Sequence, residues 1–143
     1  MSLNHSEYHS IVQVRPDDID LFGHVHSAKY LDYFLAARFE QMQKNYECGM
    51  DEFLSRGLGW FLQDFDISYK RPLKLGDIAL VYTNIVELEK NGSIVAFRIM
   101  NQQTNKLVAT GKGKFALVDI QSARSIAIPD WVIERYSIHS ENP

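Results

Sequence analysis

From Ser27 to Glu47 the chain reads "SAKYLDYFLAARFEQMQKNYE", a stretch with no Gly or Pro and rich in Ala, Leu, Met, Lys, Glu and Gln. Those residue types favour a helix of about five turns, with Ser27 placed to cap its start. Its apolar members, from Ala28 and Tyr30 through Phe34 and Leu35 to Phe39 and Met42, cover more than one stripe. A helix that is apolar around most of its circumference is expected to be buried on several sides. Something must wrap it.

The flanking segments supply the wrapping. Tyr8 to Arg15 alternates apolar and polar residues, as a half-buried strand does, and Pro16 ends it. Pro16 to Gly23 is a loop, and "GMDEFLSRGLG" is a short helical or irregular piece. Trp60 to Arg71 is predicted to be a strand with Phe61, Phe65, Ile67 and Tyr69 on one face; Pro72 and Gly76-Asp77 then turn the chain. Ile78 to Glu89 alternates with Ile78, Leu80, Tyr82, Val86 and Leu88 in register. Asn91-Gly92 signals a hairpin with positive φ, followed by strands at Ser93 to Asn101 and Leu107 to Asp119. The expected class is α+β: a first strand, a long central helix and a four-stranded antiparallel meander, giving a curved five-stranded sheet around the helix. With 143 residues and no repeat or Pro/Gly-rich linker, residues 1–143 are read as a single domain.

Charge and composition exclude several partners. A net charge of −3 argues against nucleic acid or an anionic membrane. No apolar run approaches the roughly 20 residues that span a bilayer, and "MSLNHSEYHS" lacks the apolar core of a secretion signal. Cys48 is the lone cysteine, which precludes an internal disulfide and suits a reducing cytoplasm. It is read as inert packing.

The chemistry concentrates between Asp18 and Ser27, where "DIDLFGHVHS" feeds the helix. Metal site, acid–base site and mere helix start are the three readings. Asp20, His24 and His26 match no familiar closed zinc set, so no metal is expected. Asp18 is expected to be solvated or to bond its own turn. Gly23 permits a tight turn, and the first helical amides near Ser27 and Ala28 lack intrahelical acceptors, so they are placed to stabilise developing negative charge. Arg38 stands out on an apolar helix and, if buried, needs a partner, with Asp64 or Asp66 as candidates. His5, His9 and His139 lie near the termini and are read as solvated.

Asp20-Leu-Phe-Gly23-His24-Val25-His26-Ser27-Ala28-Lys29-Tyr30-Leu31 resembles the Asp-x-x-Gly-His-Val-Asn-Asn-Ala-x-Tyr-Leu signature of acyl-CoA thioesterases of the 4-hydroxybenzoyl-CoA thioesterase family. "DISYKRPLKLGD" is similar to that family's strand-and-turn segment, and the chain departs from the signature at His26 and Ser27, where it often has two asparagines. The resemblance implies the hotdog fold and hydrolysis of an acyl-CoA, or an acyl-carrier thioester, to acid and thiol. It implies that Asp20 is general base or nucleophile, with an amide near Ser27 as oxyanion donor. Gly23, His24 and His26 then belong to the active-site loop, His24 in an orienting role. Tyr30, Arg38, Lys70, Arg71 and Lys112 are candidate substrate contacts, and some of Lys70, Arg71, Lys74, Lys112 and Lys114, which flank strand ends, are candidates for the CoA phosphates. No cofactor is implied, because CoA is part of the substrate. A homodimer or tetramer with a site shared between subunits is implied, which agrees with the open edges of a five-stranded sheet. The competing readings are a non-catalytic acyl-thioester binding or regulatory protein of the same fold, and an enoyl-thioester hydratase or dehydratase.

Overall fold

The computed structural model describes residues 2–138, so His139 lies outside the described residues. Strand β1 (Tyr8–Gln13) leads through a 3₁₀ turn at Pro16–Asp18 to helix α1 (Lys29–Asn45) and the short α2 (Met50–Ser55). Strands β2 (Leu58–Tyr69), β3 (Ile78–Leu88), β4 (Gly92–Asn101) and β5 (Lys106–Asp119) follow. A two-residue β6 (Arg124–Ser125) and α3 (Asp130–Arg135), neither anticipated from sequence, complete the chain.

The five main strands lie in the order β1-β3-β4-β5-β2, all antiparallel, with β6 beside β5. Only β3, β4 and β5 form a meander; β2 crosses to the far edge and pairs with β5, so the expected four-stranded meander in chain order is corrected. The sheet curls around α1 in the hotdog arrangement, and Phe34 of the helix packs among Phe65, Phe97 and Phe115 of three strands.

Helix α1 buries Tyr30, Tyr33, Phe34, Ala37, Arg38, Gln41, Met42 and Asn45. Those steps of three and four make one stripe, which corrects the expectation of burial on several sides. Leu31 and Leu35 are half-buried and Phe39 is 36% exposed along the flank. The helix also starts later than expected: Ala28, not Ser27, is the N-cap, without a side-chain cap bond.

Bulges in β2 and β3 defeat simple alternation, and a third register shift falls at Ile99/Met100 in the β4–β5 pairing. In β2 the register slips between Leu62 and Asp64. Trp60 and Leu62 pack on the core before the slip, and Phe65 and Ile67 after it, while Phe61 is 60% exposed. An extra residue reverses the facing of everything beyond it, so Phe61 and Phe65 do not share a face as parity predicted. In β3 the slip falls between Ile85 and Glu87. There the core face is Ala79, Val81, Thr83 and Ile85, the alternate set to the one read from sequence. The β3–β4 hairpin forms where Asn91-Gly92 predicted it, but Gly92 is not a positive-φ residue. Its need is space, since a Cβ there would sit 2.1 Å from the Phe115 carbonyl oxygen.

Candidate active site

The loop from β1 to α1 is held from beneath by Asp18. This carboxylate is 5% exposed; the Tyr33 hydroxyl donates to its Oδ2 at 2.6 Å and the Arg15 amide at 3.0 Å. Lys29 Nζ lies 3.9 Å from Oδ1. Asp18 does bond its own turn as expected, but it is buried rather than solvated.

Two residues on, Asp20 caps a tight turn. Its amide donates to the His24 carbonyl at 2.8 Å, its carbonyl accepts from Gly23 at 3.1 Å, and Gly23 takes φ +79°. The carboxylate Oδ1 accepts from the Phe22 amide at 2.9 Å and the His24 amide at 3.1 Å. Both bonds fall on one oxygen, so Oδ2 keeps its lone pairs for another donor. Burial pushes this carboxyl up, but the His24 and Phe22 amides and the nearby His26 and His24 imidazoles outweigh it and hold it below its ordinary value. Asp20 is therefore ionised at neutral pH.

The turn is stitched to the segment after β2. The Val25 amide donates to the Leu73 carbonyl at 2.8 Å, His24 bridges Lys74 through backbone, and the Leu73 amide donates to the Tyr30 hydroxyl at 3.2 Å. The Tyr69 hydroxyl donates to the Ser27 carbonyl at 2.7 Å, and its ring meets Tyr30 edge-on at 5.3 Å. Between these two chain segments is a cleft of about 260 Å³ lined by Asp20, His24, Val25, Ser27, Tyr30, Tyr69, Lys70, Arg71 and Pro72. Arg71 and Pro72 also border a neighbouring groove of about 390 Å³ that carries Lys74 and Lys106. Among the described residues the Ser27 and Ala28 amides have no acceptor. The cleft thus offers a carboxylate, free amide donors at a helix start and a cationic wall.

Of the residues singled out in the sequence, Asp20, His24, Ser27, Tyr30, Lys70 and Arg71 meet at this cleft, and Gly23 shapes its turn. His26 is exposed and contributes through its backbone: its amide donates to the Asp18 carbonyl and its carbonyl accepts from Lys29. Lys112 lines a different cavity with Glu7, Asp66 and Arg98, and Lys114 faces Glu89 at 3.8 Å. Arg38 is 3% exposed and forms no ion pair with Asp64 or Asp66; its guanidinium lies over the rings of Tyr46 at 4.9 Å and Tyr136 at 5.7 Å. Aromatic faces, not a carboxylate, receive it, which corrects the expected pairing. Sequence reasoning missed Tyr69, placed there on an apolar face; its position just before Lys70-Arg71 at a strand end was the available signal. His5, read as solvated, is exposed but bonds the Ile85 carbonyl through Nδ1 at 2.7 Å, and His9 packs against Tyr82. Among the described residues no three His, Cys, Asp or Glu side chains are grouped to hold a metal ion, and no helix is long and apolar enough to cross a membrane.

The sequence profile of a family described as the thioesterase-like superfamily matches residues 14–136. The long-chain acyl-CoA thioesterase FadM of Escherichia coli is 22% identical over 120 residues, covering 82% of this chain and 87% of that protein. Among solved structures, a DHNA-CoA thioesterase from Staphylococcus aureus superposes with a TM-score of 0.84 at 20% identity, covering 92% of this chain and 89% of that one. A further Staphylococcus aureus protein, solved in complex with CoA, gives a TM-score of 0.82 at 16% identity over 100% of this chain and 92% of its own. Likeness at these identities establishes the fold.

Proposed function

The chain belongs to the thioesterase-like superfamily, and from that premise we propose that it hydrolyses the thioester of an acyl-CoA, or of an acyl-carrier substrate, with Asp20 at the reacting bond. The observation that carries this is the Asp20 carboxylate, ionised, with Oδ1 tied down and Oδ2 available, beside the amides that precede α1. As general base it takes a proton from water, whose oxygen adds to the carbonyl carbon; the C–S bond then breaks and the proton passes to the leaving thiolate. As nucleophile it adds to that carbon itself, expels the thiolate, and leaves an anhydride that water cleaves. In either route an amide at Ser27 or Ala28 stabilises the oxyanion, an effect typically of about 3–4 kcal/mol. Tyr30 and Tyr69 wall the thioester, and Lys70 and Arg71, with Lys74 and Lys106 beyond, meet the phosphates of CoA. His24 fixes the turn through its backbone. CoA enters as substrate, and no metal or separate cofactor takes part.

The active form proposed is a homodimer or larger homo-oligomer, because β2 ends the sheet with its outer edge unpaired and Phe61 and Tyr69 exposed along it. The test of the activity is thiol release across aliphatic and aryl acyl-CoA thioesters. Hydration of an enoyl thioester without thiol release would instead identify a hydratase. A single turnover in ¹⁸O-water that labels the Asp20 side chain identifies the nucleophilic route, since the general-base route leaves both Asp20 oxygens unlabelled.

A further inference from the structure

Away from the Asp20 cleft, the C-terminal half of α1 borders a small, partly open cavity. Arg38, Phe39, Met42, Trp60, Ser93, Phe115 and Tyr136 border it, and its volume is about 10 Å³. Two of these residues carry buried donors without a hydrogen-bond partner among the described residues, Arg38 Nη1 and Trp60 Nε1, and the buried hydroxyl of Tyr46, whose ring lies against Arg38, is likewise unpartnered. Burying an unpartnered donor is costly, and burying an uncompensated charge more so.

Among the described residues the surroundings provide no countercharge. Arg38 forms no ion pair with a carboxylate within 4.0 Å among the described residues, and Glu52 nearby is engaged by Arg56 and Arg135. Burial pushes the phenols of Tyr46 and Tyr136 up and the Cys48 thiol up to about 12, so none of the three is an anion at neutral pH. The aromatic faces of Tyr46 and Tyr136 attract the cation without neutralising it.

We infer that this cavity is a binding site for a single small monovalent anion of the halide class, held by Arg38 Nη1 and Trp60 Nε1. A space of this volume holds about one water-sized particle, which excludes phosphate, an acyl group or CoA. An anion only accepts hydrogen bonds, as both orphan donors require, and it also cancels the guanidinium charge. Ser93 and Tyr136 also line it, and a hydroxyl rotates to donate or accept as its neighbour requires. The inference is independent of thioester hydrolysis: occupancy ties α1 to β2 and the α3 region, and is a matter of stability.

The test compares thermal unfolding of the full chain in sodium chloride and in sodium gluconate at matched ionic strength, gluconate being too large to enter. Chloride is expected to raise Tm along a saturable curve that gluconate does not reproduce. Trp60→Phe, which keeps an aromatic ring and removes one donor, is expected to move the chloride midpoint up about tenfold. Crystals grown in bromide should show an anomalous peak within hydrogen-bond distance of Arg38 Nη1, a readout that stands even if the variant does not fold. Superimposed chloride and gluconate curves for the unsubstituted protein would overturn the inference. So would a water, or a carboxylate of a second copy, in the place of the bromide peak.

Discussion

At Asp18 the carboxylate lies beneath the loop with the Tyr33 hydroxyl 2.6 Å from its Oδ2, whereas at Asp20 it stands at the mouth of the cleft. Tyr33→Phe removes the one side-chain hydroxyl donor to Asp18 among the described residues and leaves a buried charge short of one bond. A loss of about 1.5–3 kcal/mol in urea unfolding is expected, the usual range for a hydrogen bond to a charged group; a variant as stable as the parent would show that Asp18 does not anchor the loop. Asp20 differs because its held-down acidity has a pH signature. A carboxyl whose folded value lies below its unfolded one adds stability that is present above the unfolded value and lost as pH falls through the folded value. That window is below 3.8 for Asp20. The corresponding limb of kcat/KM is expected below the same point, so activity should not fall on acidification from pH 7 to about 5 through this group. A limb near pH 6 that Asp20→Asn abolishes would contradict it.

Element by element, the sequence was readable where one signal sufficed. The helix without Gly or Pro and the strand-breaking Pro16 and Pro72 fell at their places because each acts through local backbone preferences, and the Asn-Gly hairpin fell at its place too, although Gly92 is needed there for space rather than for positive φ. The bulge in β2 left no local mark and inverted the facing of residues across it, which is why Phe61 was grouped with Phe65; the Ile78-Leu80-Tyr82 set lies before the β3 bulge, and apolar residues on both faces there, Ala79, Val81 and Ile85 on the other, left the parity without a signal. Strand order was equally hidden, since the position of β2 next to β5 is set by packing against α1. Within the site, Asp20, Gly23 and Tyr30 were legible from one short motif, but Arg38's aromatic neighbours come from Tyr46 and from Tyr136, almost a hundred positions further on. Close packing of this sheet is testable at Gly111, where a Cβ would lie 2.1 Å from the Asp66 carbonyl oxygen and 2.8 Å from the Phe97 ring. Gly111→Ala is expected to destabilise by about 1–3 kcal/mol, read from the shift of the denaturation midpoint; an unchanged midpoint would mean that β5 and β2 sit farther apart than described.

On the scale of the whole molecule, one sheet presents two open edges, and its apolar exposure is placed to be covered. Phe61 on β2 is 60% exposed, Leu21 and Phe22 at the tip of the Asp20 turn are 103% and 85% exposed, and Phe39 lies along the free flank of α1. Isolated long edges with such residues invite pairing with a second copy. Sedimentation at micromolar protein is expected to give a species of at least twice 16.5 kDa, and Phe61→Lys is expected to shift it toward monomer with loss of activity. A fully active monomer would exclude a shared site.

The proposed chemistry turns on Asp20, and its substitution by Asn, compared with Asp17→Asn in the same loop, is the most direct measurement. Asn keeps the shape and an acceptor for the Phe22 and His24 amides but removes the basic carboxylate. Asp17 is exposed and pairs with Arg15, so its change should leave turnover within a few-fold of the parent, a bound of about 1 kcal/mol. For Asp20→Asn, kcat on a cleaved acyl-CoA is expected to fall about 10²–10⁴-fold, with KM far less affected. A folded, correctly assembled Asp20→Asn protein that releases thiol at the parent rate would contradict the mechanism.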